Sequence, residues 1–206
     1  MPLAPPECNR RVALLGGSFN PPHICHLLLS VYLMETLPLH AVWWLPVFRH
    51  AFAKDAQLAP FADRLAMAQA AAASDPRIEV QAIESRLPSP SYTFDTLTAL
   101  QREHEDTAFS FVIGSDILGE LPRWHRWEEL RDRLEFVVVG RGAPIDRDAL
   151  PPGGRFVVRD FHLPELSSSA LRVALARGDD ISASVPAAVL RFLRARPELY
   201  GRGAGP

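Results

Sequence analysis

Cysteine is scarce in this sequence: Cys8 and Cys25 are the only two among 206 residues. Two cysteines make no disulfide framework, and their positions lack the clustering that is typical of a zinc site. Both observations argue against a secreted protein held by disulfides. They indicate a reducing compartment, and we expect a cytoplasmic location.

Long apolar runs and an excess of one charge are also missing. The longest apolar runs, such as residues 42–47, are far too short to cross a bilayer. Twenty-two basic and 24 acidic side chains leave a net charge of −2, so no general basic field attracts nucleic acid or an anionic membrane. Any anion site must therefore be built locally.

The length and the 48% of hydrophobic residues suit a single domain with its own core. We place this domain at residues 10–200, with a helical C-terminal part at about 166–200. Residues 1–9 lack the apolar segment of a signal peptide and are predicted to be a flexible tail, as are residues 201–206. The oligomeric state, monomer or homodimer, is left open.

Short apolar strands alternate with segments of helical periodicity along the chain. Strands are predicted at residues 12–15, 42–45, 78–80, 109–113, 136–139 and 156–158, and helices at 24–35, 61–73, 94–102, 127–134, 171–176 and 187–194. Continuous apolar strands joined through helices are typical of a parallel sheet covered on both faces. The sequence therefore predicts an α/β fold, a doubly wound (Rossmann-like) parallel sheet with a small helical C-terminal part.

Ligands of such sheets bind beyond the carboxyl ends of the strands. The loops of interest are therefore the four that directly follow strands, at residues 16–26, 46–54, 114–127 and 140–144.

The first of these loops has the sequence GGSFNPPHICH at residues 16–26. Two glycines let the backbone approach a ligand, and the helix that follows offers free N–H groups and a positive dipole end to phosphate. His23 and His26 are three residues apart, so both imidazoles point to one face of the helix. Taken alone, the glycines are more typical of an ordinary tight turn, and the histidine pair of ordinary polar residues.

A second candidate phosphate site is the sequence LSSSALR at residues 166–172. Small hydroxyl residues cap helix N-termini, and Arg172 supplies a planar guanidinium for phosphate oxygens one turn further on. A plain helix cap beside a surface arginine is the simpler alternative.

Together the two motifs resemble the nucleotidylyltransferase superfamily, whose signature is Gly-x-Phe-Asp/Asn-Pro-x-His-x-x-His with a Ser/Thr-rich x-x-Arg motif near the C-terminus. The resemblance implies that His23, His26 and Arg172 are catalytic. It assigns ATP binding to these three residues and to Gly16, Gly17, Ser18, Phe19, Gly114, Asp116, Ser168 and Ser169.

Four further segments are similar to the bacterial nicotinate-nucleotide adenylyltransferases: PSYTFDTL at 90–97, FVIGSD at 111–116, LPRWH at 121–125 and VGR at 139–141. The resemblance, which covers roughly residues 10–200, implies that Asp116 holds the adenosine ribose and that Trp124 packs on the pyridine ring. The resemblance assigns substrate binding to Asn20, Lys54, Thr93, Trp124, His125 and Arg141.

Simpler interpretations exist here too. Asp116 could cap the following helix, Thr93 and Thr96 could be solvated residues at a helix start, and Trp124 and Trp127 could be core aromatics. For Trp127 we favour the core.

Two departures from the family touch the pyridine-nucleotide pocket. Residues 46–54 read PVFRHAFAK where the family usually has Pro-Asn-x-x-Pro-Pro-His-Lys/Arg, and His125 replaces a common tyrosine. Preference for the acid over the amide mononucleotide is therefore less firmly predicted than adenylyl transfer.

The implied reaction is attack of the 5′-phosphate of nicotinate mononucleotide on the α-phosphorus of ATP, which yields nicotinate adenine dinucleotide and pyrophosphate. Magnesium bound mainly to phosphate and water is the expected cofactor, without a dedicated protein metal site. The alternatives are an adenylyltransferase for nicotinamide mononucleotide or phosphopantetheine, and a catalytically silent nucleotide-binding module.

Overall fold

The computed structural model describes residues 8–49, 58–140, 145–162 and 164–200. Its strands are β1 (Arg10–Gly17), β2 (Ala41–Pro46), β3 (Ile78–Val80), β4 (Thr107–Gly114), β5 (Glu135–Gly140) and β6 (Arg155–His162). Its α-helices are α1 (Ile24–Thr36), α2 (Phe61–Ala72), α3 (Thr93–Glu103), α4 (Trp127–Arg133), α5 (Ser168–Arg177) and α6 (Ala187–Ala195). Short 3₁₀ segments occupy Ile83–Arg86, Ser115–Arg123 and Pro197–Leu199.

The six strands form one sheet in the order β3-β2-β1-β4-β5-β6, and every neighbouring pair is parallel. The chain first winds outward from β1 to β3 and then returns to place β4 on the other side of β1. This reversal leaves a crevice between the carboxyl ends of β1 and β4, the usual ligand position in doubly wound sheets. The predicted fold class is confirmed.

Strand residues alternate between two buried clusters, one on each face of the sheet. Ala13 and Leu15 pack with side chains of α1, α2, α5 and α6, whereas Val12 and Leu14 pack with those of α3 and α4. We call these clusters the α1-side core and the α3-side core. Trp127 is buried in the α3-side core, 5.4 Å from Phe136 between ring centroids, as expected for a core aromatic.

The structure differs from the sequence prediction mainly in its 3₁₀ segments. Residues 115–123 were expected to be loop but form a 3₁₀ segment that contains Gly119 and Pro122. Such segments have no 3.6-residue repeat to detect. None of the described helices is long and apolar enough to cross a membrane.

A buried chain of hydrogen bonds ties β2 to α1 behind the crevice. The indole Nε1–H of Trp44 donates to Ser30 Oγ over 2.8 Å, and the Ser30 hydroxyl donates to the His26 carbonyl, also over 2.8 Å. Trp44 and Ser30 are fully buried. The serine hydroxyl therefore satisfies the indole and fixes the first turn of α1 against the sheet.

We predict that Ser30→Ala lowers the free energy of unfolding by about 1–2 kcal/mol, because the buried Trp44 indole loses its acceptor. Urea unfolding measures the change. Thr36→Ala is the matched control, since the Thr36 hydroxyl donates to the Tyr32 carbonyl at the exposed end of the same helix. Its effect should stay within about 0.5 kcal/mol. Equal losses in both variants would contradict the proposed role of Ser30.

Candidate active site

A cavity of about 1060 Å³ lies at the carboxyl edge of the sheet, where β1 and β4 separate. Nine of the expected site residues line it: Gly16, Gly17, His23, His26, Thr93, Gly114, Asp116, Trp124 and His125. The tertiary structure thus gathers residues from three separate parts of the chain around one volume.

Glycine is required where β1 reaches the cavity. A Cβ at Gly16 would lie 3.1 Å from Cζ of Phe111, and one at Gly17 would lie 3.3 Å from Cε2 of Phe19. Side chains at these positions would crowd the two aromatic rings. Without a Cβ, the backbone of these two glycines lines the cavity itself, and their role in binding a ligand stays a prediction.

His23 and His26 face each other at the first turn of α1, with ring centroids 3.9 Å apart. The backbone N–H of His23 donates to Nδ1 of His26 over 3.1 Å. Because Nδ1 of His26 accepts this bond, its neutral ring carries the proton on Nε2. His26 can therefore donate a hydrogen bond to an oxygen placed in the cavity.

Phe19 supports this histidine pair from below. Its ring lies 4.8 Å from that of His26 and stacks at 5.0 Å on Trp44. Phe19 is 1% exposed and has the left-handed backbone angle φ of 46°. The residue was expected to bind ATP, but the structure places its side chain beneath the site and outside the cavity lining.

The backbone donors at the start of α1 are less available than the sequence suggested. The N–H of Ile24 donates to the Ser184 carbonyl and that of His26 to the His23 carbonyl, both over 3.0 Å. Two donors of the first turn are thus used within the protein. The imidazoles, more than the helix end, carry the donor capacity of this loop.

The second motif lies directly against the first. Ser167 caps α5 by accepting a bond from the Ala170 N–H, and Ser168 Oγ donates to the Pro21 carbonyl over 2.8 Å. Arg172 donates to the Asn20 carbonyl over 3.0 Å and to Ser169 Oγ over 3.3 Å. These hydrogen bonds join the two candidate phosphate motifs directly, although the bonded residues are 147 and 152 positions apart in the chain. Ser167, rather than Ser168 or Ser169, reaches the cavity lining.

Asn20 was expected to contact substrate, but the structure buries it completely. Its Oδ1 accepts hydrogen bonds from the Ala59 N–H over 3.1 Å and from the Tyr200 hydroxyl over 2.5 Å. Burial raises the pKa of Tyr200 above its ordinary range, which keeps this hydroxyl a donor. Asn20 thereby fixes the loop to the last residues of the described chain.

Arg64 is a residue that the sequence did not single out. It is 1% exposed, and its guanidinium donates to the carbonyls of Ala59 and Ser18 over 2.9 Å each. Within the amphipathic pattern of α2 a lone arginine is an unremarkable polar position, so nothing in the sequence signalled its burial. Its charge lies directly behind the glycine-rich loop.

Aromatic side chains form the other end of the cavity. Trp124 meets Phe111 edge-on with centroids 5.9 Å apart, and His125 stacks on Tyr92 at 4.5 Å. Trp124 is half-buried and His125 is exposed, so both rings offer a surface to a ligand. Thr93 begins α3 beside them, and Asp116 lies exposed in the first turn after β4.

Arg49, Glu84 and Arg123 also line this cavity, although the sequence did not identify them as site residues. Oε2 of Glu84 accepts from the Phe48 N–H over 3.1 Å and from the Ser91 hydroxyl over 2.8 Å. Burial raises the pKa of Glu84, although these two bonds oppose the shift.

Lys54 and Arg141, expected to bind substrate, lie outside the described residues, as does His50. Within the described ranges, no group of three or more His, Cys, Asp or Glu side chains could hold a metal ion.

Comparison with known proteins defines the class to which this fold and site belong. A family model described as cytidylyltransferase-like matches residues 14–174, and the chain belongs to this family.

The names of curated relatives are more specific than the description of the family model. A protein of Anaeromyxobacter dehalogenans (strain 2CP-1 / ATCC BAA-258), named probable nicotinate-nucleotide adenylyltransferase, is 39% identical over 188 residues, 90% of this chain and 94% of its own. One with the same name from Exiguobacterium sibiricum is 39% identical over 89% of this chain and 95% of its own. These relatives confirm the family predicted from the motifs.

A solved structure shares the fold. It is the Plasmodium falciparum nicotinic acid mononucleotide adenylyltransferase complexed with NaAD, with a TM-score of 0.75 and 21% identity, over 92% of this chain and 97% of that one.

We predict a pH-dependent gain of stability in Glu84→Gln. Because burial raises the pKa of Glu84, the folded state holds this proton more tightly than the unfolded chain does. Wild-type stability therefore falls, relative to the variant, as pH rises above the ordinary value of 4.5. The Gln carbonyl can still accept both existing bonds.

Urea unfolding of both proteins between pH 4.5 and neutral pH measures this difference, which should grow in favour of the variant and then level off. Glu120→Gln, at an exposed glutamate on the same cavity, is the matched control. A difference that stays constant with pH for Glu84→Gln would show that burial does not raise the pKa of this carboxyl.

Proposed function

We propose that this protein transfers the adenylyl group of ATP to nicotinate mononucleotide, forming nicotinate adenine dinucleotide and pyrophosphate in NAD biosynthesis. The observation that carries the proposal is the pair His23 and His26 at the switch point of the sheet, joined to Arg172 through the Asn20 carbonyl. The names of the curated relatives and the bound NaAD of the structural relative support this substrate class.

The shape of the cavity supports a reaction between two nucleotides. Its volume of about 1060 Å³ lies just above the usual range for small-molecule sites, roughly 300–1000 Å³. The histidines line one part and the aromatic residues Trp124 and His125 another. ATP would occupy the histidine end, and the pyridine ring would pack against Trp124, with Thr93 beside it.

The mechanism needs no covalent intermediate. The phosphate of the mononucleotide is already an anion, so it can attack the α-phosphorus directly, and the bond from that phosphorus to the bridging oxygen breaks. Negative charge then moves onto pyrophosphate. The Nε2–H of His26 and the imidazole of His23 donate to phosphate oxygens as this charge develops, so catalysis is positioning together with electrostatic stabilisation.

Arg172 and the amino end of α5 would hold the β- and γ-phosphates. In the structure Arg172 already lies beside the loop that carries the histidines, at 3.0 Å from the Asn20 carbonyl. A guanidinium presents five donors in a planar fork, which suits two phosphate oxygens at once.

The exposed Asp116 would meet the adenosine ribose, next to Gly114 at the end of β4. Lys54 and Arg141 keep their expected roles toward the mononucleotide as part of this proposal.

Magnesium is also proposed, bound to the triphosphate. The described residues present cationic and neutral donors to the phosphates and no cluster of carboxylates, which fits an ion held by phosphate and water. When bound, the ion neutralises phosphate charge. Residues His23, His26 and Arg172 then orient the complex.

The cavity lining carries both signs of charge. Arg49 and Arg123 line it together with Glu84, Asp116, Glu120 and Glu165, and Arg123 directly precedes Trp124 and His125 in the chain. We expect Arg123 to meet the carboxylate on the pyridine ring, which would favour the acid over the amide mononucleotide.

We predict that His23→Ala lowers kcat by about a hundredfold or more, because removing one preorganised donor costs on the order of 3 kcal/mol in the barrier. Pyrophosphate release at saturating ATP and mononucleotide measures the effect. His40→Ala, at an exposed histidine outside the cavity, is the control and should retain wild-type turnover. Near-normal turnover of His23→Ala in a folded protein would overturn the role given to this residue.

We also predict a strong preference for nicotinate over nicotinamide mononucleotide. Pyrophosphate release with each at equal concentration, with ATP and magnesium, gives the ratio of kcat/KM values, which should exceed about tenfold for the acid. Chelation of magnesium should abolish release with both. Equal rates, or a preference for the amide, would retain adenylyl transfer and reject the named substrate.

A further inference from the structure

A second cavity, of about 390 Å³, lies at the opposite edge of the sheet. It lies beside the first residues of β4, β5 and β6, between the face of the sheet that carries the α1-side core and the turn that follows α1. Residues 37–39 of that turn line it. Along β4 the distance from this cavity to Gly114 in the candidate active site is about 13 Å, given the rise of roughly 3.3 Å per strand residue.

The strand register places a polar row on this face of the sheet. Ser110 of β4 pairs with Glu135 of β5, and Glu135 pairs with Arg155 of β6. All three side chains line the cavity. We call Ser110, Glu135 and Arg155 the polar row.

The next row on the same face is entirely apolar. Val112, Val137 and Val157 are register partners, and they pack into the α1-side core. The apolar core on this face therefore ends at the polar row, where the cavity begins. Another apolar row would extend the core, whereas polar side chains at this position need a polar partner.

Ser110 provides an independent observation. It is 7% exposed, and its hydroxyl has no hydrogen-bond partner among the described residues. A buried hydroxyl without a partner costs free energy, which a ligand in the cavity would recover.

The charges around the cavity favour an anion. Four arginines line it against two glutamates, namely Arg11, Arg133, Arg155 and Arg159 against Glu105 and Glu135. Burial raises the pKa of Glu135, although Arg155 and Arg11 oppose the shift.

The remaining walls are apolar. Leu37 and Leu39 face Val137 and Val157 across the cavity lining. A ligand that satisfies both features carries an apolar body and one anionic head group.

We propose that this cavity is a second ligand site, which binds a small organic anion with an aromatic or aliphatic body and a carboxylate or phosphate head. The head group meets Arg155, Arg11 and the Ser110 hydroxyl, and the body packs against Val137, Val157 and the leucines of the turn. The site is separate from the candidate active site, and its existence does not depend on the reaction proposed there.

The test is calorimetric titration of the full-length protein with 2-naphthoate and with 1-naphthyl phosphate, in the presence of saturating nicotinate adenine dinucleotide. The dinucleotide occupies the first cavity. At least one of the two anions should bind one to one, and about tenfold or more tightly than the uncharged analogue 2-naphthamide. Which of the two anions binds better identifies the head group.

Two variants place the binding in this cavity. Arg155→Gln should weaken binding of the anion about tenfold, since a charged hydrogen bond is lost. Ser110→Ala should also weaken it, while leaving the protein as stable as wild type or more so, because an unsatisfied buried hydroxyl is removed. Arg191→Gln, at an exposed arginine of α6 that lines neither cavity, should bind like wild type.

Four results would overturn the proposal. The first three are the absence of saturable binding of either anion, equal binding of 2-naphthamide, and unchanged binding in both Arg155→Gln and Ser110→Ala. The fourth is displacement of the anion by the dinucleotide, since the anion would then occupy the first cavity. If the protein binds the anion but shows no adenylyltransferase activity, the proposed function is rejected and the proposal of this second site still stands.

Discussion

The carbonyl oxygens of the loop between β1 and α1 are held by donors from elsewhere in the chain. The Ser18 carbonyl accepts from Arg64, the Asn20 carbonyl from Arg172 and the Pro21 carbonyl from the Ser168 hydroxyl. A loop that bends away from the sheet cannot satisfy its carbonyls within itself, and buried carbonyls without donors are costly. The position of His23 and His26 at the cavity follows from these contacts with α2 and α5.

The two ends of the cavity differ in how firmly the rest of the structure holds their side chains. At the histidine end the supporting residues are buried, as Phe19, Asn20 and Arg64 are, so the donors are fixed before any ligand arrives. At the aromatic end, beside Trp124, His125 is exposed and rests on Tyr92. His125, which departs from the usual family sequence, therefore lies at this second end. Substitution there changes a wall of the cavity and leaves the fixed histidine end unchanged.

The parallel sheet also explains why the molecule has two unlike edges. All carboxyl ends lie together at one edge, where Gly16, Gly17 and the two histidines line the candidate active site. At the other edge, three of the six strands begin with a charged residue: Arg10, Glu135 and Arg155. On the face that carries the α1-side core, β5 therefore changes from the polar row at Glu135 to the apolar row at Val137, two residues further along the strand.

The sequence by itself determined the order and type of the strands and α-helices, since continuous apolar strands and helical periodicity are local signals. It also selected His23, His26 and Arg172 as candidate site residues, because whole motifs with fixed spacing are specific where single residues are not. It did not predict the 3₁₀ segments, whose short turns have no long repeat to detect.

Only the tertiary structure decided which residues face the cavity and which support it. Asn20 and Phe19 belong to the motif as written, yet burial against Tyr200 and Trp44 makes them supports of the loop. Arg64 and Glu84 have no sequence signature, because each makes a contact with a residue far away in the chain: Arg64 with Ser18, 46 positions away, and Glu84 with Phe48, 36 positions away. The pairing of Ser110 with Glu135 and Arg155 likewise depends on strand register, which no local pattern specifies.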